Sequence, residues 1–185
     1  MGGRLSPRHE LRERIRQVSG RIYHPSAHTR GHSWIGDERI AVGSLPVGSE
    51  LDRLPAAGVT HVVNCRARAQ TTFSQDLWAE RSVFGADRVV EAPMWDHGRE
   101  QPHAQWAEGA TFAAQALEDP GAGVLIHCQQ GRRRSAMVAY AALRLRGRSE
   151  EEAACLVLTG RSVARLVPTY RLSVEEWLES GAPLP

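Results

Sequence analysis

Two rhythms of apolar and polar positions run along the chain. Short apolar runs at residues 39–42, 60–65 (THVVNC), 87–92 (DRVVEA) and 124–127 read as strands. Between them lie stretches with helical spacing. Ser49 precedes a short helix carrying Leu51 and Leu54, which Gly58 ends. Helical spacing is also predicted over 76–83, and over 103–118, where Trp106, Ala110, Ala113 and Leu117 share one side. A helix over 134–146 stops at Gly147. Ser149 and Glu152 form a capping box for the next helix, which ends at Gly160. Pro168 opens a last helix with Tyr170, Val174 and Trp177 on one side. Strands alternating with helices predict an α/β fold with a central, mostly parallel β-sheet flanked by helices.

The regular pattern begins at residue 34, so residues 34–185 are expected to form a single domain. Residues 1–33 are polar and Arg-rich. They read as an N-terminal extension, solvated or loosely docked, with a short helix over 10–18 as the alternative. The chain has 185 residues, 42% of them apolar and 24% charged, an ordinary globular composition. No apolar run approaches the ~20 residues of a membrane span, and no secretory signal core opens the chain. A cytoplasmic location is the expectation. The net charge of +2 gives no reason to expect nucleic acid. All 23 basic residues are Arg, a bias associated with GC-rich bacterial genomes, and lysine chemistry is excluded. Three cysteines, Cys65, Cys128 and Cys155, have no metal-ligand spacing and indicate neither a disulfide framework nor a metal site.

The chemistry is concentrated in residues 124–137, VLIHCQQGRRRSAM. An apolar strand ends in His127 and Cys128, five residues follow, and Arg134 with Ser135 opens a helix. Backbone N–H groups of Gln129, Gln130, Gly131, Arg132 and Arg133 can converge in such a loop to form an anion nest. The helix start adds positive partial charge at the same point. Gly131 permits a backbone geometry that a side chain would hinder. These features describe a phosphate cradle with a thiol at its base. That field can draw a thiol from ~8.5 down to roughly 3.5–7.5, which makes Cys128 a thiolate nucleophile. Arg134 is spaced to meet the same phosphate with two parallel hydrogen bonds. A chance match to H-C-x-x-G-x-x-R-S is expected on the order of once in ten thousand chains of this length, so coincidence is set aside.

Residues 127–135 resemble the signature loop of the protein tyrosine phosphatase superfamily, His-Cys-x5-Arg-Ser/Thr. The spacing of the remainder resembles its compact dual-specificity branch, over residues 34 to about 179. The resemblance is specific at the loop and topological elsewhere. It implies a dual-specificity phosphatase fold, phosphomonoester hydrolysis through a phosphocysteine intermediate, and no metal or other cofactor. It gives His127 the task of orienting the loop and tuning the thiol, and Ser135 that of donating to the sulfur. It also places a general acid on the loop APMWDHGREQPH, where Asp96 is the candidate. A turn-forming role beside Gly98 is the plainer reading of Asp96. His97 and His103 are taken as solvated. The Gln that the family often places near the C-terminus to position water has no counterpart in residues 161–177.

Three readings stay open. Arg132 and Arg133 either face solvent on the rim, or Arg132 meets further negative charge, as in the lipid-directed members that the loop resembles. Cys65 is either a small buried residue, the favoured reading, or a redox partner for Cys128, as in some relatives. Cys155 is expected in the core. Expected substrates are phosphorylated proteins, phospholipids or small phosphate esters. Arg66 and Arg68, on a polar wall over 64–76, would favour acidic partners. A phosphoinositide phosphatase on the same scaffold is an alternative. Other classes are a non-catalytic phosphate-binding module and a sulfur-transfer enzyme, and the latter would need neither Arg134 nor Asp96.

Overall fold

The computed structural model of the chain describes residues 25–181, so the helix considered over 10–18 lies outside the described residues. Five strands form one sheet: β1 (His32–Trp34), β2 (Ile40–Ser44), β3 (His61–Asn64), β4 (Val89–Glu91) and β5 (Val124–Cys128). Their order is β1-β2-β5-β3-β4. β1 runs antiparallel to β2, and the other three pairings are parallel. Among the described residues, seven α-helices flank the sheet: α1 (Ser49–Arg53), α2 (Arg68–Ser74), α3 (Asp76–Phe84), α4 (Ala107–Ala116), α5 (Arg134–Leu145), α6 (Glu150–Gly160) and α7 (Pro168–Glu179). The mostly parallel α/β sheet expected from the sequence is the observed architecture. Two elements were not foreseen. β1 is only three residues long, and α2 lies in the stretch read as a polar wall. Residues 32 and 33, expected in the extension, are thereby built onto the sheet.

Strand alternation divides the chemistry between the two faces. Val124, Ile126 and Cys128 of β5, with Val63 and Cys65, face the larger core, which α5 and the buried residues of α4, α6 and α7 complete. Leu125 and Val62 face a smaller cluster covered by Leu51, Leu77 and Phe84. Asn64 and His127 alternate onto that second face, where α3 presents Glu80. The last two positions of β5 therefore send a thiol to one side and an imidazole to the other.

Helix α5 buries eleven of its twelve residues, so it has no solvent face and acts as the central post of the larger core. Its alanines permit close approach on all sides. Gly109 does the same for α4: a Cβ there would lie 2.8 Å from Val63 Cγ1 and 2.9 Å from Ala92 Cβ. The capping box of α6 is present, with Glu152 N donating to Ser149 Oγ at 3.2 Å and Ser149 N to Glu152 Oε2 at 2.8 Å. On this helix Ala153 and Val157, one turn apart, take the inward face. Cys155 falls between them on the opposite side and is exposed, correcting its expected place in the core.

Trp106 is fully buried and meets Trp177 edge-on, with ring centroids 5.0 Å apart. Its Nε1 donates to Gln101 O at 2.9 Å. Trp106→Ala is expected to lower stability by about 3–5 kcal/mol in urea unfolding. A loss below 1 kcal/mol would show that the junction of α4, α7 and the 94–101 loop collapses to fill the space.

Candidate active site

β5 ends at Cys128 and α5 begins at Arg134, so the intervening loop wraps the N-terminus of a helix. Gly131 adopts φ +62, and a Cβ there would meet Gly43 C and O at 2.5 and 2.6 Å. The loop backs directly onto the end of β2, and only glycine fits at that contact. Cys128 is buried, and its Sγ lies 3.3 Å from Ser135 Oγ. Burial pushes the thiol up. The Arg134 charge, the Ser135 hydroxyl and the amides of Ser135 and Arg132 outweigh it and bring the thiol down from 9.0 to about 7.

Arg134 is also buried, and three acceptors hold one corner of its guanidinium. Nη1 donates to Met94 O at 2.9 Å, to Gln70 Oε1 at 3.0 Å and to Cys65 O at 3.3 Å. These acceptors lie after β4, on α2 and after β3. Nε of Arg134 is buried with no protein acceptor among the described residues, so that edge keeps a donor to offer an anion.

Behind the cradle, Arg161 supplies a second buried guanidinium, which the sequence reading did not single out. Its Nε donates to Gly131 O at 3.2 Å, its Nη2 to Thr29 O at 2.6 Å and its Nη1 to Ser33 Oγ at 3.3 Å. Burial lowers its affinity for its proton, and the nearby Cys128 sulfur opposes that. By fixing the Gly131 carbonyl, Arg161 holds the apex of the loop. Gln130 adds a second tie to the same segment, since its Oε1 accepts from Ser26 N and Ser26 Oγ, each at 3.0 Å, and from Thr29 Oγ1. Both amide atoms of Gln129 are enclosed without a protein partner among the described residues.

His127 is fully buried, with Nε2 2.9 Å from Glu80 Oε1. Burial disfavours its charge, but the Glu80 carboxylate more than offsets this and raises its pKa. Asn64 Nδ2 links Glu80 to Asp76, donating at 3.0 Å to Glu80 Oε2 and at 2.9 Å to Asp76 Oδ2. Asp76 in turn pairs with Arg66 Nη1 at 2.7 Å. Arg66 is therefore a buried, neutralised cation and not a lure for acidic partners, which corrects the expectation from sequence.

Asp96 sits on the loop after β4, where α7 meets it. Tyr170 Oη donates to Asp96 Oδ1 at 3.2 Å and accepts from Gly98 N at 3.0 Å. Arg133 Nη1 lies 3.5 Å from the same carboxylate oxygen, joining the loop to the cradle's rim. Gln101 N donates to Ser173 Oγ and Thr169 Oγ1 to Gly98 O, so α7 fixes this loop along its length. In the sequence Tyr170 reads as one apolar position of a helix; nothing in the pattern marks its hydroxyl as a loop anchor. Cys65 shares the face of Cys128 and is buried, and burial raises its pKa well above the usual thiol range. The candidate residues 127–135 are thus gathered at one sheet edge, with Asp96 at their rim and Cys65 beneath. No group of three or more His, Cys, Asp or Glu side chains suited to a metal ion occurs among the described residues.

No protein-family model matches the sequence. Solved structures do resemble it. Human DUSP28 is similar with a TM-score of 0.66 and 25% identity, over 85% of this chain and 97% of that one. Tk-PTP in its active form gives 0.63 and 29% identity, over 81% and 97%. PTPMT1 gives 0.67 at 24% identity over 81% and 95%, a likeness of fold alone. The fold and these likenesses define a phosphatase of the protein tyrosine phosphatase superfamily. Within that superfamily the likenesses to DUSP28 and Tk-PTP support the compact dual-specificity branch.

The rate of Cys128 alkylation by iodoacetamide is expected to rise with pH through a midpoint of about 7. Arg161→Met removes a nearby positive charge and frees the Gly131 carbonyl. It should move the midpoint upward by about one pH unit, with Arg161→Lys intermediate. An unchanged midpoint in Arg161→Met would confine Arg161 to a structural tie.

Proposed function

We propose that the protein hydrolyses phosphate monoesters through a phosphocysteine intermediate on Cys128. The observation that carries this reading is a buried thiol drawn down to about 7 beside a guanidinium that three carbonyl oxygens hold in place. The Cys128 thiolate attacks phosphorus and the bond to the ester oxygen breaks. Asp96 protonates the departing oxygen. Arg134 and the loop amides bind the three non-bridging oxygens, whose charge spreads in the transition state. Asp96, now a carboxylate, takes a proton from water as that water attacks the phosphocysteine. Inorganic phosphate leaves, and the sulfur departs as thiolate, stabilised by the Ser135 hydroxyl. Tyr170 anchors the loop that carries Asp96 through its contacts with Asp96 Oδ1 and Gly98 N.

Within this reading two substrate classes compete: phosphorylated protein side chains and phosphoinositide-like headgroups. The second is favoured by the half-buried Arg132, whose Nε has no protein acceptor among the described residues. PTPMT1, a neighbour in fold, was crystallised with PI(5)P.

Three substitutions check these statements. Cys128→Ser should abolish release of nitrophenol from nitrophenyl phosphate. Asp96→Asn should cost about 10²–10⁴-fold with phenyl phosphate and far less with a better leaving group. Equal losses for good and poor leaving groups would remove Asp96 as the acid. For substrate class, Arg132→Ala should reduce hydrolysis of a multiply phosphorylated inositol lipid about tenfold more than that of nitrophenyl phosphate. Equal losses on both would reject the second anion contact.

A further inference from the structure

Helix α2 borders the cradle, because Gln70 accepts from Arg134 Nη1, and α3 follows it directly after Gln75. Their outward surface is unusual in two respects. Phe73 and Trp78 are 64% and 73% exposed, more than any other large apolar residue among those described. Single exposed apolar side chains are common on soluble proteins, but two large aromatics on consecutive short helices are not explained by packing. The second respect is charge. Arg68 and Arg81 are exposed on these helices, whereas Asp76 and Glu80, their only carboxylates, are buried against Arg66, Asn64 and His127. The outward surface is therefore cationic and aromatic with no acidic counterpart. Across the cleft Trp95, next to a second Arg134 acceptor at Met94, is also 57% exposed.

We infer that the α2–α3 surface is a docking face for an anionic lipid bilayer, with Phe73 and Trp78 entering the interface and Arg68 and Arg81 meeting the lipid phosphates. Aromatic rings favour the zone between headgroup and acyl chain, and arginines beside them are drawn to anionic lipid. The two rings stand out from convex helices with most of their area free, a shape that a deformable bilayer accepts without complementary pockets. A folded partner protein would need such pockets. No helix among the described residues is long and apolar enough to cross a membrane, so this contact lies on the surface. That lipid-borne phosphate esters are the substrates rests on the proposed function, but the docking does not.

The test is co-sedimentation of the full chain with vesicles of phosphatidylcholine alone and of phosphatidylcholine mixed with phosphatidylserine. The mixed vesicles should carry the protein down and the neutral ones should not. Phe73→Ser with Trp78→Ser should weaken partition about tenfold or more. Arg68→Gln with Arg81→Gln should weaken it and flatten its dependence on salt. Cys128→Ser should bind as the unaltered chain does, which separates docking from hydrolysis. Both double variants should keep the unaltered thiol-alkylation midpoint, showing that the cradle is intact. Failure of the unaltered chain to pellet with the mixed vesicles overturns the inference. Equal pelleting of the Phe73 and Trp78 double variant also overturns it, as that would place binding elsewhere in the chain. Binding of an acidic peptide at this face in place of vesicles overturns it in favour of a protein partner.

Discussion

A negative charge must be held where water is largely excluded, and the architecture around Cys128 follows from that requirement. Cys65, directly after β3, and Cys128, the last residue of the neighbouring β5, face the same core and are both buried. Burial alone raises a thiol, as it does for Cys65. Cys128 goes the other way because its position adds a guanidinium, a hydroxyl and two amides. The contrast between two thiols on one face separates the contribution of the loop from that of the fold. The strand brings the sulfur inside, and Arg134, the Ser135 hydroxyl and the loop amides bring its pKa down to about 7 there.

The cations that stabilise this charge are costly to bury, and each is tied in place. Arg134 is anchored by three carbonyl oxygens, and Arg161 by two carbonyls and a hydroxyl. On the opposite face of the sheet, His127 with Glu80 and Arg66 with Asp76 form two pairs joined through Asn64. Burying unlike charges side by side lets the polar residues at the ends of β3 and β5 sit under a helix. A half-made version of this network would leave an isolated charge in the interior.

Four of the five strands, most helices and the cradle were legible because each has a local signature. Short apolar runs gave β3 and β5, the Ser149–Glu152 box gave the start of α6, and the His-Cys-x5-Arg-Ser spacing gave the candidate site. What escaped depends on contacts distant in sequence. β1 has too few residues for a period to show. The helix α2 has no apolar stripe, and it holds its place through Gln70 and Ser74, whose partners are the guanidinium groups of Arg134 and Arg66. Arg161 and Tyr170 carry no motif, since their partners lie on Gly131, Thr29, Gly98 and Asp96. The error over Cys155 was one of phase, because the adjacent Ala153 and Ala154 do not declare which side of the helix faces inward.

The hold on Arg134 has a consequence for how the site is assembled. Its Nη1 draws acceptors from residues 69, 64 and 40 positions earlier in the chain. A β5–α5 fragment alone supplies Cys128 and Arg134 but not the acceptors that fix the guanidinium beside the thiol. The position of that charge is therefore a property of the closed tertiary structure and not of the loop by itself.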